Sequence, residues 1–311
     1  RDVLREIEIM QAYKKRGFWV GLGVFFLILL SPNPESLSSI GWAVAAVTLL
    51  MAIWWATEAV PVAVTALLPL ALFPMLHVAD FKTAALPYAN PNIYLFMGGF
   101  ILALGIESSG LHKRLALKML IAIGNSGAKL VGGFMIVSAV ISMWVMNTST
   151  TLMLLPIGLA VCASVAETIP NFSYKERKNF ETSLLLGIAY AASIGGMSTL
   201  VGTAPNIIFV GFMQETYGTE ISFIDWMKLG VPIASIMLFA SWYAITKIVY
   251  PVHFIASMET KLQLQNMLND LGALGKDEKK VLIIFSIAAS AWMFRTLLDN
   301  FLPLSGLTDA G

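Results

Sequence analysis

Long apolar runs interrupted by a few charges constrain this chain more than any other feature. Eight of them can be traced, at roughly 17–30, 40–57, 59–76, 92–106, 130–166, 183–212, 226–250 and 281–298. A helix needs about 20 mostly apolar residues to cross a bilayer, so most of these runs are long enough to be spans or parts of spans. Composition agrees: 57% of the 311 residues are apolar and 13% are charged, against about 25% charged in an average soluble domain. The net charge of +1 gives no basic surplus for nucleic acid and no acidic tail. Cys162 is the only cysteine, and His77, His112 and His253 are scattered, so neither a disulfide framework nor a metal centre is expected. The expected fold is an all-α polytopic membrane protein.

Basic residues sort by side. Seventeen of the 20 Lys and Arg fall in connections that would lie on the cytoplasmic side. Five precede the first run, four lie from Lys113 to Lys129, three from Lys175 to Lys178, and five around the connection after the seventh run. Lys82 and Lys228 fall on the other side, and Arg295 lies within the last run. The N-terminus is therefore expected in the cytoplasm. The first run follows Lys14, Lys15 and Arg16 and resembles a signal peptide in length, but Ser31-Pro32-Asn33-Pro34 has no small-x-small cleavage pattern, so it reads as an uncleaved span.

This sorting leaves both ends of the 130–166 run on one side, so the run must turn back. Two full spans and a turn need more than its 37 residues, and the polar run Asn147-Thr148-Ser149-Thr150-Thr151 lies near its middle. A re-entrant hairpin with its tip at that polar run is the expectation. Backbone groups at such a tip must line a cavity or be buried in protein, because lipid cannot satisfy them.

A second irregular site is expected in Ala192 to Asn206, ASIGGMSTLVGTAPN, where Gly195, Gly196, Gly202 and Pro205 interrupt a run otherwise long enough to span. A helix broken there frees carbonyls suited to a small cation such as Na⁺ and presents a helix N-terminus to an anion. Ser, Thr, Asn and Gly are also common glue between membrane helices, and one such cluster alone would be read that way. Two clusters, one at a hairpin tip and one at a helix break, favour a binding site.

No Lys, Arg or carboxylate pair accompanies either cluster, which argues against a proton relay. Glu58 and Glu107 read as boundary residues. No HExxH, GxSxG, Walker A or membrane Asp pair is present, so no enzyme and no resident cofactor is expected. The stretch Leu111 to Ile123 mixes basic and apolar residues at helical spacing, as an interfacial helix would. Thr260 to Lys280 reads as a cytosolic linker or a short amphipathic helix.

The run WVMNTSTTLMLLPIG (Trp144 to Gly158), followed by SIGGMSTLVGTAPN (Ser193 to Asn206), resembles the divalent anion:sodium symporter family of di- and tricarboxylate carriers. ATEAVPVAVTALLPLALFP (Ala56 to Pro74) and MGGFILALGIE (Met97 to Glu107) support the match, which covers nearly the whole chain. The resemblance implies an inverted-repeat transporter, a homodimer in the plasma (inner) membrane, with a scaffold and a moving transport domain in each protomer. On that reading 1–16 is a cytoplasmic segment, 17–108 holds scaffold-type helices and 109–128 is the interfacial helix. Residues 129–213 form the transport-domain hairpin and broken helix, 214–250 a further transmembrane helix, 251–280 a cytoplasmic linker, and 281–311 the first helix of a truncated second repeat.

The family's Ser-Asn-Thr signature falls on Met146, Asn147 and Thr148. The resemblance thus implies substrate contacts from Asn147, Thr148, Met146, Gly196, Thr199, Thr203 and Pro205, with Gly202 and Asn206 shaping that arm. It implies a sodium site from Ser142, Asn147 and Gly195. Met146 stands where the signature has Ser, and the second hairpin that the family places in its C-terminal repeat does not appear in residues 1–311. The expected function is sodium-coupled symport of a dicarboxylate such as succinate, malate, fumarate or 2-oxoglutarate by an elevator mechanism. A sodium-independent dicarboxylate exchanger is the second expectation, and a structural or assembly subunit of a membrane complex is the alternative from another class.

Overall fold

The computed structural model describes residues 2–122, 126–169, 172–255 and 258–294. The expectations for Ile123, for Arg295 and for the rest of the 281–311 segment after 294 lie outside the described residues. Every named element is helical, and the contacts divide the chain into two units, 1–90 and 91–311.

In the first unit α1 (Asp2–Leu30) packs along α2 (Ser39–Thr57). Ser38 caps α2 by accepting from the Gly41 amide, and Glu58 ends it in the left-handed conformation. Trp54 stacks on Phe18 with ring centroids 5.0 Å apart and donates its Nε1–H to the Phe18 carbonyl. Lys14 closes this end of the pair on Glu58 at 2.8 Å. The 59–76 run is not one helix. It forms α3 (Val62–Ala66) and α4 (Leu68–Met75), which break at Leu67 because Pro69, in the first turn of α4, has no N–H to continue the ladder. Its 62–75 helical stretch reaches about 21 Å, short of a hydrocarbon core of about 30 Å. A short α5 (Phe81–Ala85), capped by Asp80, follows.

The second unit begins with α6 (Pro91–Ser109), which turns at Gly110 into α7 (Leu111–Ile121). Gly110 holds φ +76, a conformation glycine adopts freely. Then come α8 (Gly127–Ser142), α9 (Asn147–Thr168), α10 (Tyr174–Gly196) and α11 (Ala204–Tyr217). Next, α12 (Phe223–Tyr243) runs on into a π-helical turn, Ala244–Val249. Last are α13 (Met258–Asp270) and α14 (Lys276–Met293), so the expected linker is itself partly helical and α14 starts ahead of position 281.

Among the described residues four helical segments are long and apolar enough to cross a membrane: Ser39–Thr57, Phe81–Ser109, Asn147–Thr168 and Phe223–Val249. The chain is a multi-pass, all-α membrane protein. Lipid is as apolar as a leucine side chain, so helices in it are held by close packing and polar contacts rather than by escape from water. The α8–α10 pair shows how. Gly187, Ala191 and Gly195 recur every fourth residue on α10, and all are buried. A Cβ on Gly195 would lie 2.2 Å from the Ala139 carbonyl oxygen of α8, so only glycine lets the two backbones approach this closely. Ser138 of α8 donates to the Ile188 carbonyl at 2.8 Å. Phe134, Leu154, Leu184 and Ile188, each at most 1% exposed, fill the core around this seam.

Candidate functional site

The helix–turn–helix of α8 and α9 has its tip at 143–146, and the chain between α10 and α11 is non-helical from 197 to 203. These are the two polar clusters, and the fold brings them together. Ser142 ends α8 fully buried and donates its hydroxyl to Asn147 Oδ1 at 2.6 Å. That oxygen also faces α10: a Cβ on Gly196 would sit 2.5 Å from it and 3.2 Å from the Gly202 carbonyl oxygen. Asn147 therefore meets Ser142 and Gly196 in one place because Gly196 has no side chain. With Oδ1 turned this way, the Asn147 amide nitrogen is left as a donor.

The break is braced from several sides. Thr199, fully buried, donates its hydroxyl to the Met143 carbonyl at the hairpin tip and accepts from the Gly202 amide at 3.1 Å. Asn206, in the first turn of α11, donates to the Gly196 carbonyl at 2.9 Å and to the Thr199 carbonyl at 2.7 Å. Trp226 of α12 donates its indole N–H to the Met197 carbonyl at 2.9 Å. Gly230 lets α12 pass beside the Ser198 carbonyl, from which an added Cβ would be 2.9 Å. The loop's carbonyls are thus fixed in direction, which is what a preorganised cation site requires.

The start of α9 is different in kind. Met146 is its N-cap residue and makes no side-chain cap bond. The first backbone bond into this turn is from the Thr150 amide to the Met146 carbonyl at 2.9 Å. The amides of Asn147, Thr148 and Ser149 head the helix without internal acceptors, a ready arrangement for an anion. Thr148 and Met146 are exposed, Met146 at 45%. Thr203 is the N-cap of α11 without a side-chain cap bond, and Pro205 is exposed in its first turn.

The structure therefore gathers Ser142, Asn147, Gly196, Thr199, Gly202 and Asn206 by direct contacts, and leaves Met146, Thr148, Thr203 and Pro205 at helix starts. Gly195 is spent on the Ala139 backbone. The braces from Trp226 and Gly230 escaped sequence reasoning, because they lie on the next helix and look there like an interface aromatic and an ordinary small residue. Among the described residues no group of three or more His, Cys, Asp or Glu could hold a metal, so a cation here would meet neutral oxygens.

Comparison with known proteins bears on this geometry. A family profile described as the sodium:sulfate symporter transmembrane region matches residues 15–305. A protein of Staphylococcus saprophyticus subsp. saprophyticus, named sodium-dependent dicarboxylate transporter SdcS, is 40% identical over 283 residues, covering 91% of this chain and 54% of that protein. Its namesake in Staphylococcus aureus strain USA300 is 37% identical over 285 residues, covering 91% of this chain and 54% of its own length. The chain spans about half the length of the curated relatives it matches.

Proposed function

The chain belongs to the sodium:sulfate symporter family, and from that premise we propose that it carries one half of the substrate site of a sodium-coupled dicarboxylate transporter. The observation that carries this reading is the meeting of Asn147 with Ser142 and Gly196 where the hairpin tip touches the broken helix. The relatives' name, sodium-dependent dicarboxylate transporter, supplies the substrate class and the ion.

In this reading Na⁺ sits among neutral oxygens from Ser142, Asn147 and the loop carbonyls near Gly195 and Gly196. One carboxylate of the substrate lies against the amides that head α9, the Thr148 hydroxyl and the Asn147 amide. Thr199 and Asn206 hold the loop, and Thr203 and Pro205 shape the second arm. A cation and a carboxylate about 4 Å apart attract by about 4 kcal/mol at an effective dielectric of 20, enough to make each ligand's binding depend on the other. Coupling then follows from adjacency and needs no proton relay.

The length of α8, 16 residues or about 24 Å, supports a tip that stops short of crossing a core of about 30 Å, as a re-entrant hairpin would. We place the protein in the plasma (inner) membrane with the N-terminus in the cytoplasm, as a homodimer whose hairpin-bearing part moves against a scaffold. Met146 favours a second reading, sodium-independent dicarboxylate exchange, because it puts a thioether where the family signature has a hydroxyl.

Uptake of labelled succinate into proteoliposomes, with and without an inward sodium gradient, separates the two. Gradient-driven accumulation is expected. Uptake that ignores sodium and requires internal dicarboxylate would replace symport with exchange, and no uptake of any dicarboxylate would end both readings.

A further inference from the structure

Beside the first turn of α9, Glu107, His112, Ser149 and Thr150 surround a cavity of about 10 Å³, with Ile141 and Met153 among its apolar walls. That is room for one water molecule. Thr150 is 1% exposed, and its hydroxyl oxygen is buried without a hydrogen-bond partner. A buried hydroxyl left unpaired is costly, so a partner in the adjoining space is the expected resolution.

His112, 6% exposed, supplies the complementary group. Its Nδ1 is 2.8 Å from the Ile106 carbonyl oxygen, which can only accept, so Nδ1 carries the proton. In the neutral ring Nε2 is then an acceptor. The ring sits in the first turn of α7, where the positive end of the helix disfavours an imidazolium.

We propose that one water molecule occupies this cavity and joins the two, accepting from the Thr150 hydroxyl and donating to Nε2 of His112, so that the α6–α7 corner is tied to the substrate-bearing helix α9 by a proton-responsive bond. When a proton binds Nε2, the ring and the hydroxyl both point donors at the water. Its own hydrogens must then turn to Ser149 or Glu107. The link is thereby rearranged three residues from Asn147.

Burial is the main influence lowering the affinity of His112 for a proton; Lys113 of α7 acts in the same direction, while the Ile106 carbonyl and Glu107 of α6 oppose it. Ile141 and Val145 of α8 and Ser149, Thr150 and Met153 of α9 bring no charge to the cavity. From α14, Glu278 is closed on Arg114, and Lys261 and Asp270 are charged groups of α13, which packs against α7. The site is thus set to be neutral at pH 7 and to take a proton only in acid.

Nitrogen-15 NMR of the intact, histidine-labelled protein tests this directly, since only three histidines are present. His112 should be the Nδ1–H tautomer and titrate below the ordinary histidine range. Thr150→Val should drive out the water and lower the titration midpoint by about half a pH unit, while Thr150→Ser should preserve it. The melting temperature should fall in Thr150→Val and be kept in Thr150→Ser. An Nε2–H tautomer, or a Thr150→Val protein with an unchanged midpoint and a raised melting temperature, would overturn the proposal. These measurements read the site without any transported substrate, so their failure would leave the transport reading untouched.

Discussion

Met146 and Gly196 are the residues at which the site can be tuned or broken. At the α9 N-cap, Met146 offers no hydroxyl to the following amides. Met146→Ser should add a cap, raising stability by about 1 kcal/mol as read by thermal or denaturant unfolding, and should steepen the dependence of uptake on sodium. If sodium dependence is unmoved, the missing hydroxyl has no part in the cation site. Gly196→Ala places a methyl group 2.5 Å from Asn147 Oδ1, a distance no ordinary contact tolerates. The Asn147 amide must then swing away, and uptake should fall on the order of 10²-fold while the protein still reaches the membrane. Uptake within a factor of two of wild type would show that Asn147 does not work in this orientation.

Among elements, the α8–α10 seam and the Arg114–Glu278 pair hold the second unit in ways that can be measured separately. Gly195→Ala meets the Ala139 backbone, whereas Gly187→Ala meets side chains alone, Met135 at 3.1 Å and Val131 at 3.3 Å. The first should therefore cost about 1–3 kcal/mol and the second markedly less. Equal losses would mean that the seam is not set by backbone approach.

Arg114 of α7 donates to both carboxylate oxygens of Glu278, at 2.8 and 3.1 Å, and to the carbonyls of Leu271, Gly272 and Ala273. Glu278 also accepts from the Gly275 amide. The Arg114 guanidinium, helped by that amide, holds the Glu278 carboxyl below the usual carboxylate range. A lowered carboxyl contributes stability above its unfolded value, near pH 4.3, and loses it as the pH falls through the folded value. Glu278→Gln should flatten this acid-side loss of melting temperature. It should also lower stability at neutral pH, because Arg114 is left buried without its counter-charge.

How much of this could be read from the chain alone follows from the range over which each signal acts. The turn between α8 and α9 was legible because the polar run Asn147 to Thr151 falls near the middle of the 130–166 run. The helix break was legible because Gly and Pro act on their own backbone. By contrast, Arg114 and Glu278 are 164 positions apart, and nothing local marks them as partners. The Gly187–Ala191–Gly195 stripe has a visible period, but its partner helix does not. The 59–76 run reads as one apolar stretch, and the amide missing at Pro69 splits its helix at Leu67.

On the scale of the whole molecule, the chain forms two units of very different content. The first is built on paired helices with aromatic stacking. The second contains the hairpin, the broken helix and every polar contact of the candidate site. The chain matches about half the length of its relatives, and the transport reading rests on what the 143–146 tip and the 197–203 break do together. The most direct measurement is sodium-driven succinate uptake by the wild-type protein and Asn147→Ala in matched proteoliposomes. Uptake that depends on the sodium gradient in the wild type and is abolished in the variant, at equal insertion and thermal stability, is the predicted result. Undiminished uptake by Asn147→Ala would contradict the account and return the cluster to the ordinary polar packing of membrane helices.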